Sequence, residues 1–272
     1  MSKRGGMRGA MVGLLRRKNS ASRSFDKLFL AATRGKAEAQ YQLGLAYATG
    51  NEAMHYPSIG LKWLLRAAEQ GHAQAQHTVS LLYLSGAKAR GPAATWMSEV
   101  ATLAGDKPAL PANANAALLY PEGLDVAADA SKAFAWATTA ATQGLAAAQA
   151  NLGMLYLRGV GCERNFAEAA RWCRLAAEQG EAGGALGLGI IHEHGLGTVA
   201  DCGEAARWFR IAADKGNDAA STALGLLYLD GRGVGHDQDT ARNLLAGPAN
   251  RGNGFAKAGL QRLQLVASNR AA

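Results

Sequence analysis

Cysteine is scarce in this chain, and its scarcity excludes a fold built on disulfides. The sequence has 3 cysteines in 272 residues, at Cys162, Cys173 and Cys202, and their spacings match no recurring pattern. Small secreted domains held together by disulfides carry many paired cysteines instead. The composition therefore favours a reducing compartment, although a single bridge between Cys162 and Cys202 stays possible.

Long apolar runs, alternating segments and catalytic motifs are missing as well. No stretch approaches the roughly 20 apolar residues of a membrane-spanning helix, so we expect a soluble, monomeric, cytoplasmic chain that is at most peripheral to a membrane. No segment alternates polar and apolar residues, so strands should be nearly absent. The sequence contains no HExxH motif, phosphate-binding loop or nucleophile elbow. We therefore assign no catalytic, cofactor-binding or metal-binding residue.

Negative charge is nearly absent from the start of the chain. Residues 1–36 contain ten basic residues and one acid, Asp26, a net charge of +9, whereas the whole chain carries +8. The remaining 236 residues therefore carry about −1. Because basic charge is not spread over the whole chain, specific nucleic-acid binding is not expected of its main part.

Residues 1–24 are predicted to form a basic, disordered N-terminal arm. A secretory signal is disfavoured, because the apolar run of residues 10–15 is short and is followed by three basic residues. Three interpretations remain open: a transit peptide, an arm drawn to anionic membranes or other polyanions by about 1 kcal/mol per basic residue at most, and a chain start misplaced upstream of Met7 or Met11.

A 36-residue repeat organises most of the sequence. Glycines recur at this spacing, with one double step, at Gly35, Gly71, Gly144, Gly180, Gly216 and Gly252. A mainly tyrosine series keeps the period and fills the double step, at Tyr47, Tyr83, Tyr120, Tyr156, His192 and Tyr228. Tryptophans follow at Trp63, Trp96, Trp136, Trp172 and Trp208. Self-similarity at this period indicates a solenoid, in which each helix pair packs only against its neighbours.

Residues 148–180 show one complete unit. Leu152 and Tyr156 lie four apart on one face of a first helix, helix A, and Gly153 leaves space for a neighbouring helix to come close. A second helix, helix B, carries Trp172 in an apolar stripe. Polar residues suited to capping precede four successive B helices, at Asp129, Asn165, Asp201 and Asp237.

This pattern resembles the Sel1-like repeat, a relative of the tetratricopeptide repeat. The resemblance runs from about Asp26 to Gly252 and rests on Ala-x-x-x-Leu-Gly-x-x-Tyr-x-x-Gly-x-Gly followed by Ala-x-x-Trp-x-x-x-Ala-Ala-x-x-Gly. It implies an all-α, right-handed α-solenoid of about six 36-residue helix-turn-helix repeats. We place the solenoid at residues 25–268 and a short tail at 269–272.

The repeat is least regular at about residues 87–128. Spacings of 33 and 40 residues on the two sides of Trp96 indicate a shortened loop and then a lengthened one. Pro108 and Pro111 favour an irregular connection, and Pro121 shortens the helix A that ends near Tyr120. We interpret this region as a hinge and a specialised binding edge.

Structural roles explain the residues that could be mistaken for a site. The Tyr and Trp series predict core packing, and the Gly-x-Gly loops predict caps and turns, because no strand precedes them. His192 stands at a tyrosine position and predicts a core histidine, whereas His194 is expected near the surface, where it could cap the helix end. A zinc site that also used Asp201, Cys202 and His236 is conceivable, but the spacing does not require one.

The resemblance implies a function in protein–protein interaction. Members of the family typically act as adaptors in bacterial envelope, exopolysaccharide or signalling assemblies, so we expect a partner peptide or domain on the concave face lined by A helices. The chain lacks the paired cysteines of some secreted members, so their properties do not transfer to it. Two alternatives remain: the β-lactam or cell-wall activity described for some relatives, and binding of a polyanion or membrane surface through the basic arm.

Overall fold

The computed structural model describes residues 27–49, 57–87 and 125–271, with side chains as far as residue 265. Residues 27–33 are helical. The helices that follow in the described ranges are α1 (Ala37–Thr49), α2 (Pro57–Glu69), α3 (Ala73–Ser85), α4 (Ala130–Thr142), α5 (Ala146–Arg158), α6 (Phe166–Glu178), α7 (Ala182–His194), α8 (Cys202–Asp214), α9 (Asp218–Asp230), α10 (Gln238–Asn250) and α11 (Gly254–Ala271).

The described chain is all-α, as the sequence predicts. In these ranges, β-type pairing is limited to one isolated bridge, between Ala87 and Val126. The odd-numbered helices from α1 to α11 are A helices, and the even-numbered ones are B helices. The residues that carry the prediction of an irregular repeat lie outside the described residues: Trp96, Pro108, Pro111, Tyr120 and Pro121.

The chain divides into two compact units, Met1–Asp129 and Ala130–Ala272. In the first unit α2 packs against both α1 and α3. In the second unit each helix from α4 to α11 packs against the next, and successive A helices also touch one another. Packing restricted to near neighbours is the organisation of a helical repeat.

Four of the described A helices, α1, α5, α7 and α9, approach the next B helix through a glycine, as the sequence predicts for Gly153. A Cβ built on Gly153 would lie 2.5 Å from Cys173 Sγ, and one built on Gly44 would lie 2.6 Å from Leu64 Cγ. Gly189 meets Phe209 and Gly225 meets Leu245 in the same way. The partner is always 20 residues further along the chain, immediately after the tryptophan position where a tryptophan is present.

Trp63 and Trp208 pack against the core, as the sequence predicts, but this register shows that the tryptophans are not its most buried residues. Trp172 is buried, but Trp63, Trp136 and Trp208 are only half-buried. The next residue in each B helix fills the space beside the glycine, and its side chain is fully buried in the case of Leu64, Cys173, Phe209 and Leu245. The contact selects no single side chain, since Leu, Cys and Phe all occupy it, so the sequence does not mark this position with a recurring residue type.

The glycine series and the predicted capping residues mark the helix ends. All six glycines of the 36-residue series have positive φ, between 81° and 96°, two residues after each B helix ends. Asn165, Asp201 and Asp237 accept hydrogen bonds from backbone N–H groups in the first turns of α6, α8 and α10. Asp129 directly precedes α4. The described residues thus confirm side-chain capping at three of the four positions.

One backbone hydrogen bond recurs between the ends of α5, α7 and α9 and the capping residue that follows each of them. The N–H groups of Asn165, Asp201 and Asp237 donate to the carbonyls of Tyr156, His192 and Tyr228, at 3.1, 2.8 and 3.1 Å. In each case the donor residue lies nine positions after the acceptor residue in the sequence. It explains why the aromatic series and the capping series share one period.

The end of α3 uses the same bond across a longer sequence distance. Asp129 N–H donates to the Tyr83 carbonyl at 2.7 Å, although 46 residues separate them. Ala87 and Val126 exchange two backbone hydrogen bonds, of 2.9 and 2.8 Å. Residues 83–87 and 125–129 therefore form a loop that matches the others once residues 88–124 are set aside.

Buried glutamines connect successive helix pairs. Gln40 and Gln149 donate to the carbonyls of Ala32 and Ala141, eight residues earlier, at 3.1 and 3.3 Å. Each also accepts a hydrogen bond from a glutamine 30 residues later, Gln70 and Gln179 respectively. Gln76 repeats the first of these bonds with Ala68. Burial of these amides is tolerated because their polar atoms are paired.

Candidate interaction surface

The A helices of the second unit carry a row of aliphatic side chains that packing does not fully cover. It consists of Met154 on α5, Ile190 on α7 and Leu226 on α9, all half-buried and 36 residues apart. Successive A helices meet along it, since a Cβ built on Gly187 of α7 would lie 3.7 Å from Met154 Sδ. We call these three residues the aliphatic row. The row gives the A-helix side of this unit a strip of partly exposed apolar side chains, one from each of three A helices.

Small residues lie beside the aliphatic row. The second residue of the A helices is Ala147, Gly183 and Ala219 on α5, α7 and α9, and becomes Phe255 on α11. Ala219 is exposed, and the Phe255 side chain is 77% exposed. Small side chains beside an apolar strip leave the backbone accessible to a partner, whereas an exposed aromatic ring offers apolar contact area.

The first unit has its own version of this surface. Leu45 on α1 and Leu81 on α3 occupy the position of the aliphatic row, and Leu81 is 42% exposed. Their neighbours are more polar than in the second unit. The ring of Tyr41 packs against His72 with centroids 4.6 Å apart, and Gln42 donates to Glu38 at 2.8 Å.

Charged groups gather where the A helices of the second unit end. Arg232 donates to Glu193 Oε1 at 2.9 Å and to Cys202 Sγ at 3.7 Å. The hydrogen bond with Cys202 and the charge of Glu193 raise the pKa of Arg232. Arg262 donates to Asp230 at 2.6 Å. Paired charges therefore lie on the C-terminal side of the aliphatic row, at the ends of α7 and α9, where charged groups can set the register of a bound chain.

The outer faces of the B helices are typical solvated surfaces. Arg66 lies over the Trp63 ring and Arg171 over the Trp172 ring, with guanidinium carbons 4.7 and 4.5 Å from the ring centroids. Arg207 pairs with Glu204 at 3.1 Å, one turn away. A depression of about 300 Å³ on α6 is lined by residues of that helix alone, including Leu175. Such exposed pairs contribute little stability and define no enclosed site.

The histidines lie apart from any metal-binding cluster in the described part of the chain. His192 is half-buried, and its carbonyl is the one that accepts from Asp201 N–H. The His194 side chain is 58% exposed, and its Nε2 lies 3.9 Å from Glu193 Oε2. Among the described residues, no three of the metal-ligating residue types His, Cys, Asp and Glu come close enough together to hold an ion.

The three cysteines are free thiols with different surroundings. Cys173 is fully buried between α5 and α7, and burial raises the pKa of its thiol to about 12. Cys162 is half-buried, and burial also raises the pKa of its thiol. A buried thiol held neutral in this way is a packing element and not a nucleophile.

The Gly-x-Gly loops serve as turns, as the sequence predicts. Gly159, Gly195 and Gly231 cap α5, α7 and α9 in the left-handed conformation. The second glycines also pack tightly: a Cβ on Gly161 would collide with Ala130, and one on Gly233 with Cys202. Both contacted residues are the first residue of the preceding B helix. Caps, turns and close packing therefore account for these glycines, and none of them indicates a phosphate site.

A comparison with protein families identifies five copies of one repeat. The model described as Sel1 repeat matches residues 37–72, 110–145, 146–181, 182–217 and 219–246, more than half of the chain. The match at 110–145 includes Tyr120, whose helix was predicted from the tyrosine period. None of the curated proteins matches the chain.

Solved structures with the same fold come from bacteria. A Sel1 repeat protein from Oxalobacter formigenes is 26% identical over 82% of this chain and 74% of its own, with a TM-score of 0.61. A Sel1 repeat protein from Klebsiella pneumoniae is 16% identical over 88% and 99%, with a TM-score of 0.51. A protective antigen of uropathogenic Escherichia coli, c5321, is 31% identical over 91% of this chain but only 52% of its own, with a TM-score of 0.48.

Proposed function

This chain belongs to the Sel1 repeat family, whose members generally mediate protein–protein interaction, and from that premise we propose that it is a non-enzymatic scaffold that binds a protein partner. The partner is a peptide or domain seated on the A-helix side of the repeats. The scaffold would act in the bacterial cytoplasm, as an adaptor in an envelope, exopolysaccharide or signalling assembly.

The observation that carries this proposal is that the residues that recur in the repeats and the residues that differ between repeats have different roles. Glycines, capping residues and the residue after each tryptophan position are used in packing or in turns. The side chains that differ between repeats are those next to the aliphatic row and those at the ends of the A helices. An apolar strip bordered by polar groups is the anatomy of a protein interface.

The remaining observations agree with a binding module. No helix in the described ranges is long and apolar enough to cross a membrane. The scarcity of cysteine supports the cytoplasmic assignment, since disulfides persist in oxidising compartments. The basic arm, residues 1–24, would add attraction to the surface of an anionic membrane. The binding experiment must therefore distinguish binding by this arm from binding by the repeats.

Affinity purification with cross-linking in the native cell tests this proposal. The bait is the full-length chain, compared with a variant that lacks residues 1–24 and with two matched substitutions. Ala219→Arg places a bulky cation on the A-helix side, at the second position of α9. Ala167→Arg makes the same change at the second position of α6, on the outer side of a B helix. Both alanines are exposed, so both variants should fold.

We expect one specific partner to be captured by full-length chain, by the shortened chain and by Ala167→Arg, and to be lost with Ala219→Arg. Circular dichroism of both variants checks that their helix content is unchanged. If the partner is lost when residues 1–24 are deleted but is retained by Ala219→Arg, the basic arm and not the A-helix side binds it. Capture that is blocked equally by the two arginines would remove the argument for the A-helix side.

A further inference from the structure

His72 connects the starts of two A helices in the first unit. It is the N-cap residue of α3, and its Nδ1 accepts a hydrogen bond from Ala75 N–H at 3.2 Å. Its Nε2 lies 2.9 Å from Oε2 of Glu38, in the first turn of α1. The ring also packs on Tyr41 of α1. The side chain is only 13% exposed, so these three contacts account for most of its surface.

The two ring contacts determine the tautomer. A backbone N–H can only donate, so Nδ1 must present its lone pair to Ala75. The ring hydrogen is then on Nε2, which donates to the Glu38 carboxylate. The cap described here therefore requires a neutral imidazole. The hydrogen bonds from His72 and Gln42 lower the pKa of Glu38, so its carboxylate stays charged in mildly acidic solution.

We propose that His72 is a pH-sensitive N-cap, which releases the first turn of α3 and holds α1 more tightly when its ring is protonated. Histidine is the side chain whose charge ordinarily changes between about pH 5 and 8. Protonation places a hydrogen on Nδ1, which can then no longer accept from Ala75 N–H. A positive ring also opposes the dipole at a helix N-terminus.

Protonation of His72 has the opposite effect on its contacts with α1, which become stronger. A protonated ring strengthens the interaction with Glu38 and with the Tyr41 ring face. The other titratable groups at the adjoining helix ends are Arg66 and Glu69 in the last turns of α2, and His77 on α3. Gains on α1 thus offset losses on α3, and the change is expected in the first turn of α3 more than in the stability of the whole unit.

Two later A helices, α9 and α11, have caps that do not titrate. Asn217 occupies the corresponding position before α9, where its side chain accepts from Ala220 N–H at 3.0 Å. Asn253 does the same before α11, with Ala256 N–H at 3.1 Å. An amide side chain keeps its acceptor oxygen at every pH of interest. Before α7 the cap is the Glu181 carboxylate, which accepts from Gly183 N–H at 3.3 Å. Of the two titratable side-chain caps of A helices, His72 and Glu181, the histidine is the one whose residue type ordinarily changes charge between about pH 5 and 8.

Amide hydrogen exchange followed by NMR tests this inference on the full chain. Protection of Ala75 is compared at about pH 7.5 and about pH 5.5, after correction for the intrinsic exchange rate. We expect it to fall about fivefold at the lower pH, the factor equivalent to about 1 kcal/mol for a typical N-cap. Protection of Ala220 should stay constant. Ring nitrogen shifts should show an unprotonated Nδ1 at the higher pH.

Two variants separate the cap from its surroundings. His72→Asn keeps an acceptor and removes the titration, so the pH dependence at Ala75 should vanish. Glu38→Gln removes the carboxylate and should leave the fall intact or enlarge it. The inference is overturned if Ala75 and Ala220 respond alike, if His72→Asn retains the fall, or if Nδ1 carries the hydrogen at the higher pH.

Discussion

At the scale of single residues, glycines of similar backbone conformation differ in what surrounds them. Gly216 has φ of 81° and no atom within 4 Å of a Cβ built on it. Gly233 has φ of 69°, but its Cβ would collide with the backbone of Cys202 and Gly203. Both positions disfavour an L side chain through conformation, whereas only the second also disfavours it through space.

Alanine substitution should separate these two costs. Gly216→Ala is expected to lower the free energy of unfolding by about 1 to 2 kcal/mol, the cost of the left-handed conformation. Gly233→Ala should cost more, about 3 kcal/mol or above, because backbone atoms cannot move aside as a flexible side chain can. Urea denaturation measures both. Equal losses would show that the contact with α8 is not as tight as described.

At the scale of helices and their connections, the sequence predicts the ends of elements better than their contacts. Gly180 and Asn165 have chemistry that a turn or a cap requires, so their positions follow from local rules. Cys173 and Phe209 share a position only because a glycine faces each of them. Contacts of this kind depend on the partner helix, and the residue type alone does not reveal them.

The glutamine network is a second feature that was missed, although the sequence contained a signal for it. Gln40, Gln76 and Gln149 are spaced by 36 and 73 residues, the same steps as the glycine series. Ala185 takes this position in the following repeat, so the amide is not required by the fold. Its burial depends on carbonyls eight residues earlier, which only the packed helices bring within reach.

Gln149→Ala should therefore destabilise the second unit. The change leaves the Ala141 carbonyl without its side-chain donor and Gln179 without its acceptor, and we expect a loss of about 1 to 3 kcal/mol. Thr139→Ala on α4 is the control, because that exposed hydroxyl bonds only the carbonyl one turn before it. The control should stay within about 0.5 kcal/mol. Equal effects in a urea titration would show that the network adds nothing.

At the scale of the whole chain, two segments have the register that leads into α4. The Tyr83 carbonyl accepts the hydrogen bond from Asp129 N–H, whereas the family match that starts at residue 110 places Tyr120 in the same repeat as α4. Tyr120 also stands nine residues before Asp129. The two candidates differ by 37 residues, close to one repeat, so both satisfy the same register.

Deletion of residues 88–124 distinguishes them. Joining Ala87 to Asp125 places Asp129 nine positions after Tyr83, as in the other loops. The shorter loop lowers the entropic cost of loop closure by about 1 kcal/mol. If Tyr83 is the native partner, the shortened chain should unfold cooperatively, with a midpoint within about 4 °C of the full chain. If the repeat that contains Tyr120 is needed instead, the deletion removes nearly half of a matched repeat and lowers the midpoint far more. Thermal unfolding followed by circular dichroism decides between these outcomes. The control is deletion of residues 182–218, which has the same length and removes a complete described helix pair. It shows how far the midpoint falls when a repeat is lost.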